Sequence, residues 1–387
     1  MTVRRTLAAF ISLTLFCTSL TAQERKPWLS RTLSNIGTFI DSLSARGIDQ
    51  RYIEVPEKPW QVMLRFNVND MDLKSYTLIS KEQFAKRGLE GELNWEARVR
   101  PHASTNMGLW VGYRGYGLGY SLSISNNTGR NFTIGATGSN FGINLRTRKF
   151  NTSEMDVRLW GHDDNGPFEL NDMLELYEPV TIRSTIFDAY YMLNGKRFSY
   201  AAAYDQSVIQ RRSAGSLMLG VMWYSTSLDY VEPYNALLIQ ALGDVGRTSI
   251  QEGSIGVGYA FNWVPTRNLL VNVTAMPMLA VYNRAKVRLY ESNYDLFLDE
   301  GQTSPTGKKA VPDDKSWMQD ITLREVGTSV RHANVSVNID ARLSVTYNID
   351  RYFLNVYGQL NNFKNSIDNN RVRLTDWFVN ASLGIRL

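Results

Sequence analysis

The stretch RPHASTN at 100–106 sets His102 and Ser104 one residue apart. On an extended chain, residues i and i+2 share a face, so an imidazole stands beside a hydroxyl that it could deprotonate. That is the base–nucleophile pairing of acyl transfer, and in a membrane protein its substrate would be a lipid ester. The pair lacks a third member, because no Asn or carboxylate can be assigned to orient the imidazole. A Pro-X-Ala-Ser turn also accounts for these residues without catalysis. The other histidines, His162 and His332, fall in expected loops, and no His-x-x-x-His spacing would gather a metal. GHDDNG at 161–166 offers carboxylates between glycines but not the ligand series of a calcium loop. The close-set glycines of GVGYAF and GYGLGYS precede no helix, so they read as strand glycines, not phosphate cradles. No cofactor and no metal is implied.

A second concentration of polar groups is GKRFSYAAAYDQSVIQRRSAGS at 195–216, with Lys196, Arg197, Tyr200, Tyr204, Asp205, Gln206, Gln210, Arg211 and Arg212. If the chain is a barrel, this segment is either a plug or base folded against a charged lumen wall or a basic constriction that selects anionic solutes.

The elements that would position these groups are strands. From Trp60 onward the hydrophobic period is two: Val62, Leu64, Phe66 and Val68 alternate with Gln61, Arg65, Asn67 and Asn69. Ile255, Val257, Tyr259, Phe261 and Trp263 likewise alternate with Gly256, Gly258, Ala260 and Asn262, which puts the small residues inside. The runs are about 10–16 residues long, against about 5–6 in globular sheets, as strands tilted across a bilayer must be. Lipid on one face forbids free edges, since an unsatisfied backbone group in hydrocarbon costs several kcal/mol, so the sheet must close. On this pattern Glu92, Glu96, Arg98, Arg100, Arg146, Arg148, Arg183, Asp340, Arg342, Arg373 and Arg386 project into the lumen. Their arginine excess favours anions if the pore is open.

Residues 1–22 carry Arg4 and Arg5, then an apolar run from Leu7 to about Leu20, and read as a cleaved secretory signal. Removing them takes the formal charge from +5 to +3 and removes Cys17, the single cysteine. Disulfide, zinc-thiolate and cysteine-nucleophile chemistry are then excluded, and the small charge implies no nucleic acid. Over 28–43 the apolar residues recur at helical spacing. This is a short amphipathic helix within a periplasmic or interfacial segment, 23–59, and the barrel follows over 60–387.

Parity counts the strands, because bacterial single-chain barrels have an even number. Reading 92–100 as one stave and 105–125 as one long Gly-rich stave gives twelve. The turns near 102–104, 138–140, 265–268 and 348–351 are then periplasmic, and the long connections at 71–91, 150–180, 227–252 and 283–332 are extracellular. The connection at 195–214 is the exception, long yet periplasmic.

That exceptional segment, together with IDQRYIEVPEKPW at 48–60 and YRGYGLGYS at 113–121, resembles an outer-membrane family of Bacteroidetes known as domain of unknown function 4421. Members carry RFSY-x-AA-x-x-QS-x-x-Q-x-x-SAGS, matched here by Arg197, Phe198, Ser199, Tyr200, Ala202, Ala203, Gln206, Ser207, Gln210, Ser213, Ala214, Gly215 and Ser216. The resemblance implies a barrel at the outer membrane and no particular activity. The expected fold is therefore all-β: a transmembrane antiparallel β-barrel of twelve strands with a short N-terminal amphipathic helix, in the outer membrane of a Gram-negative bacterium. Its expected partners are outer-membrane lipid, the barrel-assembly machinery through the C-terminal strand, and a small solute. The favoured role is a porin-like narrow channel or binding barrel. A lipid hydrolase built on His102 and Ser104 and a structural or adhesion barrel are the alternatives.

Overall fold

The computed structural model describes residues 47–387 except 80–91, 100–102, 126–128, 164–165, 242–243, 296–297, 299–302, 304–306, 313–314, 333–334 and 368–369. The expected signal segment, the helix over 28–43, Arg100 and His102 lie outside the described residues.

After the two-residue β1 (Ile53–Glu54) come β2 (Trp60–Ile79), β3 (Glu92–Val99), β4 (Ser104–Tyr113), β5 (Tyr116–Ser123), β6 (Arg130–Thr137), β7 (Phe141–Asp163) and β8 (Gly166–Met192). A five-residue helix, α1 (Tyr200–Tyr204), and β9 (Ile209–Gln210) precede β10 (Ala214–Asp229). Helix α2 (Ala236–Ala241) leads to β11 (Val245–Thr266) and β12 (Leu269–Ser292). The short β13 (Tyr294–Asp295) and β14 (Lys309–Ala310) are followed by β15 (Leu323–His332), β16 (Ser336–Ile349), β17 (Tyr352–Ile367) and β18 (Asn370–Arg386).

Twelve of these strands close an antiparallel ring in the order β2, β4, β5, β6, β7, β8, β10, β11, β12, β16, β17, β18 and back to β2. At the seam the Leu387 N–H donates to the Trp60 carbonyl at 2.9 Å and Trp60 N–H returns to Leu387 at 3.2 Å, so the first and last staves leave no edge. The outward faces are those that the period predicts. Leu64, Phe66, Leu109, Val111, Ile255, Val257, Leu343 and Val345 are exposed and form a belt whose solvent is hydrocarbon. Rings border the belt: Trp60 lies 4.9 Å from Tyr113 at the end with short turns, and Trp223 lies 5.2 Å from Tyr282 at the other. About ten residues of β11 separate Trp263 from Gly253, which pairs with Trp223. At about 3.3 Å per residue on a strand tilted about 40°, that is about 25 Å, the height of an apolar barrel band.

The total of twelve agrees with the sequence reading, but its membership does not. Residues 105–125 are two staves, β4 and β5, joined by a tight turn at Arg114 (φ 50°) and Gly115 (φ 91°). Ser104, expected in a short periplasmic turn, instead opens β4 and pairs with Asn69, far along β2 from the turn at Arg114 and Gly115. Strand β3, read as a stave, is outside the ring and pairs with the upper parts of β2 and β7, closing the wall above the shorter β4, β5 and β6. The two errors cancelled in the count. The stretch expected as a loop at 150–180 is nearly all strand, with β7 and β8 paired from Phe141 and Tyr191 out to Asp163 and Gly166.

The cause is an inversion of the faces above the belt. Within it, β16 points Asp340, Arg342, Ser344 and Thr346 inward, and β18 points Asp376, Asn380 and Ser382 inward. Beyond it, Met71, Leu73, Ala97, Val99, Met155, Val157 and Leu374 pack together inside. The outside there carries pairs such as Arg98–Asp72 at 2.8 Å, Arg158–Glu169 at 2.9 Å and Arg247–Asp229 at 2.6 Å. A wall with water on its outer side follows the soluble rule, apolar within and charged without. Arg98, Arg183 and Arg373, expected in the lumen, therefore face outward: Arg98 pairs with Asp72 on the outer face, and Arg183 and Arg373 are exposed.

Candidate functional site: the occupied lumen

Met192 is followed not by a short turn but by a segment that folds up into the ring. Ser199 caps α1, its Oγ accepting from the Ala202 N–H at 3.1 Å, and all five helix residues are buried. The three alanines are small enough to let a helix lie inside a ring of this size, and the two tyrosines carry hydroxyls to the wall. Tyr204 donates to Asn272 on β12 at 2.6 Å, and Ser344 on β16 donates to the Ala203 carbonyl at 2.8 Å. Asp205 accepts from Thr137 on β6 and from the Ser207 N–H, Gln206 adopts φ 61°, and Arg386 donates to the Gln206 carbonyl at 3.0 Å. Gln210 is buried, accepting from the Ser199 N–H at 2.9 Å and donating to the Arg197 carbonyl at 2.6 Å.

The basic members of the segment lie elsewhere. Lys196, Arg197 and Arg212 are exposed and Arg211 is half-buried at the short-turn end, so they form no constriction inside the ring. They meet residues 47–59 instead. β1 pairs with β9, Ile53 with Gln210 and Glu54 with Ile209. Arg211 donates to Glu54 at 2.6 Å, Arg197 lies 3.7 Å from Asp49, and both Arg197 and Arg212 approach the Tyr52 ring, at 5.2 and 5.8 Å. Arg51 donates to the Asp49 carboxylate, which is held down to about 2, and the Arg211 contact likewise keeps Glu54 below the ordinary carboxylate range.

Above this floor, side chains from opposite staves meet across the lumen. Arg342 on β16 donates to Asp340 at 3.1 Å, lies 3.3 Å from Asp188 on β8, and donates to Tyr190 and, at 2.6 Å, to Tyr200 on α1. Tyr190 donates to Asp340 at 2.7 Å, and Asn144 on β7 donates to Asp188 at 2.7 Å. Arg148 on β7 pairs with Asp376 on β18, and Arg146 reaches Gln359 on β17 at 2.9 Å. Higher still, Tyr224 on β10 stacks on Phe363 of β17 at 4.4 Å and its hydroxyl lies 3.9 Å from the Met71 sulfur on β2. Among the described residues, floor, polar layer and apolar layer follow one another along the lumen. A buried network of this kind is rigid only while every charge in it is bonded.

Trp110 occupies one side of the polar layer. Its ring lies on Gly117, Gly119 and Gly135, where an added Cβ would come within 2.6, 2.8 and 2.8 Å of it. Its other neighbour is the Arg65 guanidinium, 4.0 Å from the ring centre. The close-set glycines of GYGLGYS thus serve a ring.

Ser104 is half-buried and its Oγ accepts from Asn106 at 3.3 Å. Asp70 lines the same small pocket as Ser104 without a hydrogen bond to it, and among the described residues no group of three or more His, Cys, Asp or Glu able to hold a metal occurs. The sequence reading had Arg146, Arg148, Asp340 and Arg342 in the lumen but missed Asp188, Tyr190 and Trp110. The alternation in TIRSTIFDAYYM would have found the first two if its parity had been set by Asp188 instead of by Arg183.

No curated protein matches the chain in sequence. Among solved structures it is similar to the outer membrane protease OmpT from Escherichia coli, with 8% identity, 86% of this chain and 97% of that chain covered, and TM-score 0.33. It is also similar to the translocator domain of the autotransporter NalP from Neisseria meningitidis (8%, 92% and 96%, 0.30) and to the Pseudomonas putida toluene transporter TodX (8%, 89% and 94%, 0.27). Likeness at this level carries nothing about role. The family described as domain of unknown function 4421 matches residues 48–385, and the chain belongs to that family.

Proposed function

We propose that the protein is an outer-membrane β-barrel of a Gram-negative bacterium whose lumen is closed at rest by its own 193–213 segment. It acts as a binding barrel for a small solute, not as an open porin-like channel. The belt about 25 Å high supports the membrane setting, with the short turns periplasmic and the long hairpins outside. The observation that carries the reading is α1, buried across the ring and bonded to β7, β12 and β16. Diametric contacts such as Arg146–Gln359 cross the ring beside it.

Two measurements test it. In planar bilayers the purified protein should pass no steady current, and a steady ohmic conductance would overturn the proposal. Asn272→Cys, facing α1, should resist a water-soluble maleimide in the intact protein. It should label rapidly when 199–207 is replaced by a Gly/Ser stretch of equal length. Equal labelling in both would show that the segment seals nothing. The lipid-hydrolase alternative predicts that Ser104→Ala abolishes lipid release; the closed-barrel reading predicts no change.

A further inference from the structure

Three lumen arginines stand apart from the ion pairs; Arg386 is held at the floor by the Gln206 carbonyl and Asn348, which leaves Arg65 and Arg146. Arg148 has Asp376, and Arg342 has Asp188 and Asp340. Asp205, another buried lumen carboxylate, is held by Thr137 and the Ser207 N–H. Arg65 and Arg146 have no carboxylate within ion-pair distance among the described residues, although both are more than nine-tenths buried. Each instead lies over a ring, Arg65 at 4.0 Å from the Trp110 ring centre and Arg146 at 3.7 Å from that of Phe378. A guanidinium so placed is attracted to the ring and keeps an N–H edge to donate elsewhere.

Those edges line one cavity. Arg65, Arg146, Asn69, Asn131, Ser121 and Thr133 surround it, and no carboxylate does. Arg65 Nε, Arg146 Nη1 and Asn69 Nδ2 have no protein acceptor among the described residues. A buried cation without a counter-charge costs several kcal/mol, and an anion between two cations in a low-dielectric interior gains from both at once. The space admits one or two water-sized occupants. A space of that size suits a small spherical ion better than a tetrahedral oxyanion.

We propose that this cavity is a halide site, in which a chloride ion accepts from Arg65 and Arg146 and serves as their internal counter-ion. The site is independent of the floor: maleimide labelling at Asn272→Cys reads the floor, and halide dependence reads the cavity.

The test uses the full mature chain in non-ionic detergent, exchanged into gluconate and titrated with chloride at constant ionic strength. The unfolding temperature should rise saturably with chloride and with bromide, as expected of a ligand that binds only the folded state, and should not respond to sulfate. Arg146→Met should flatten the chloride response and, in gluconate, be at least as stable as the parent. Crystals grown in bromide should show an anomalous peak between the two guanidiniums. Equal stability in chloride and gluconate with no bromide peak would overturn the proposal and assign the cavity to water. A chloride response unchanged in Arg146→Met would overturn it too, placing the halide elsewhere.

Discussion

The Arg342 guanidinium on β16 donates a 2.6 Å hydrogen bond to the Tyr200 hydroxyl on α1, and Asn144 on β7 donates to the same oxygen at 3.0 Å. One phenol thus joins the helix to two staves well separated around the ring. Tyr200→Phe removes the shared acceptor and leaves two buried donors facing a ring edge, which should cost about 1–3 kcal/mol. Arg342→Met should cost more, about 3–5 kcal/mol, because Asp188 and Asp340 then share a site with no cation. Urea unfolding in detergent, read by tryptophan emission, checks both.

The floor should be sensitive to acid. Asp49 and Glu54 both have carboxyls held below their ordinary range in the folded protein, Asp49 down to about 2. A lowered folded value means that the stabilisation is fully present above the unfolded pKa, near 4, and is lost as pH falls through the folded values. The Arg211 amide, which donates to the Tyr52 carbonyl at 2.7 Å, should therefore lose hydrogen-exchange protection between pH 5 and pH 2, after correction for intrinsic rates. Glu54→Gln should show lower protection at pH 6 and a smaller acid step.

Trp110 and the glycines beneath it form a unit that a double-mutant cycle can resolve. Gly119→Val drives a side chain into the ring and should destabilise the barrel by about 1–3 kcal/mol. In a Trp110→Leu background the same change should cost much less, and the coupling energy measures the contact. Equal costs in both backgrounds would mean that the ring is not what the glycine accommodates.

The inversion of faces can be mapped with single cysteines, since Cys17, the chain's one cysteine, lies in the expected signal segment. Cysteine at Arg158, beyond the belt, should react with a membrane-impermeant maleimide in lipid vesicles. Cysteine at Val345, within it, should stay unlabelled until detergent is added. Leu64→Asp should be penalised by lipid and Val99→Asp by the packed interior, although the two side chains point to opposite sides of the wall.

The same inversion explains how much could be read from the chain. Staves such as β11 and β16 were legible because a single rule, apolar outward, holds along their membrane spans. The outer halves of β7 and β8 were hidden because the rule reverses where oil gives way to water and because a register shift between Thr152 and Glu154 falls at the same place. Arg114 and Gly115 were missed because both must take positive φ, a demand visible for Gly115 and masked by Arg114. The polar segment at 195–216 announced itself by length alone. Which of its groups would enter the ring was not in the alternation, because it depends on Ser199 starting a helix that buries Tyr200 and Tyr204 and leaves Lys196 and Arg212 outside.

The two-residue pairing of β1 with β9 gives the molecule a mechanical character. β1 runs through a few residues into β2, the stave whose far edge is zipped to β18 at Trp60 and Leu387. A tug applied to the chain ahead of Asp49 would reach Ile53 and Glu54 first and peel them from Ile209 and Gln210 one bond at a time. The long zipper between β2 and β18 would instead be loaded in shear, many bonds together. That small clasp would thus open under a force that leaves the cylinder whole.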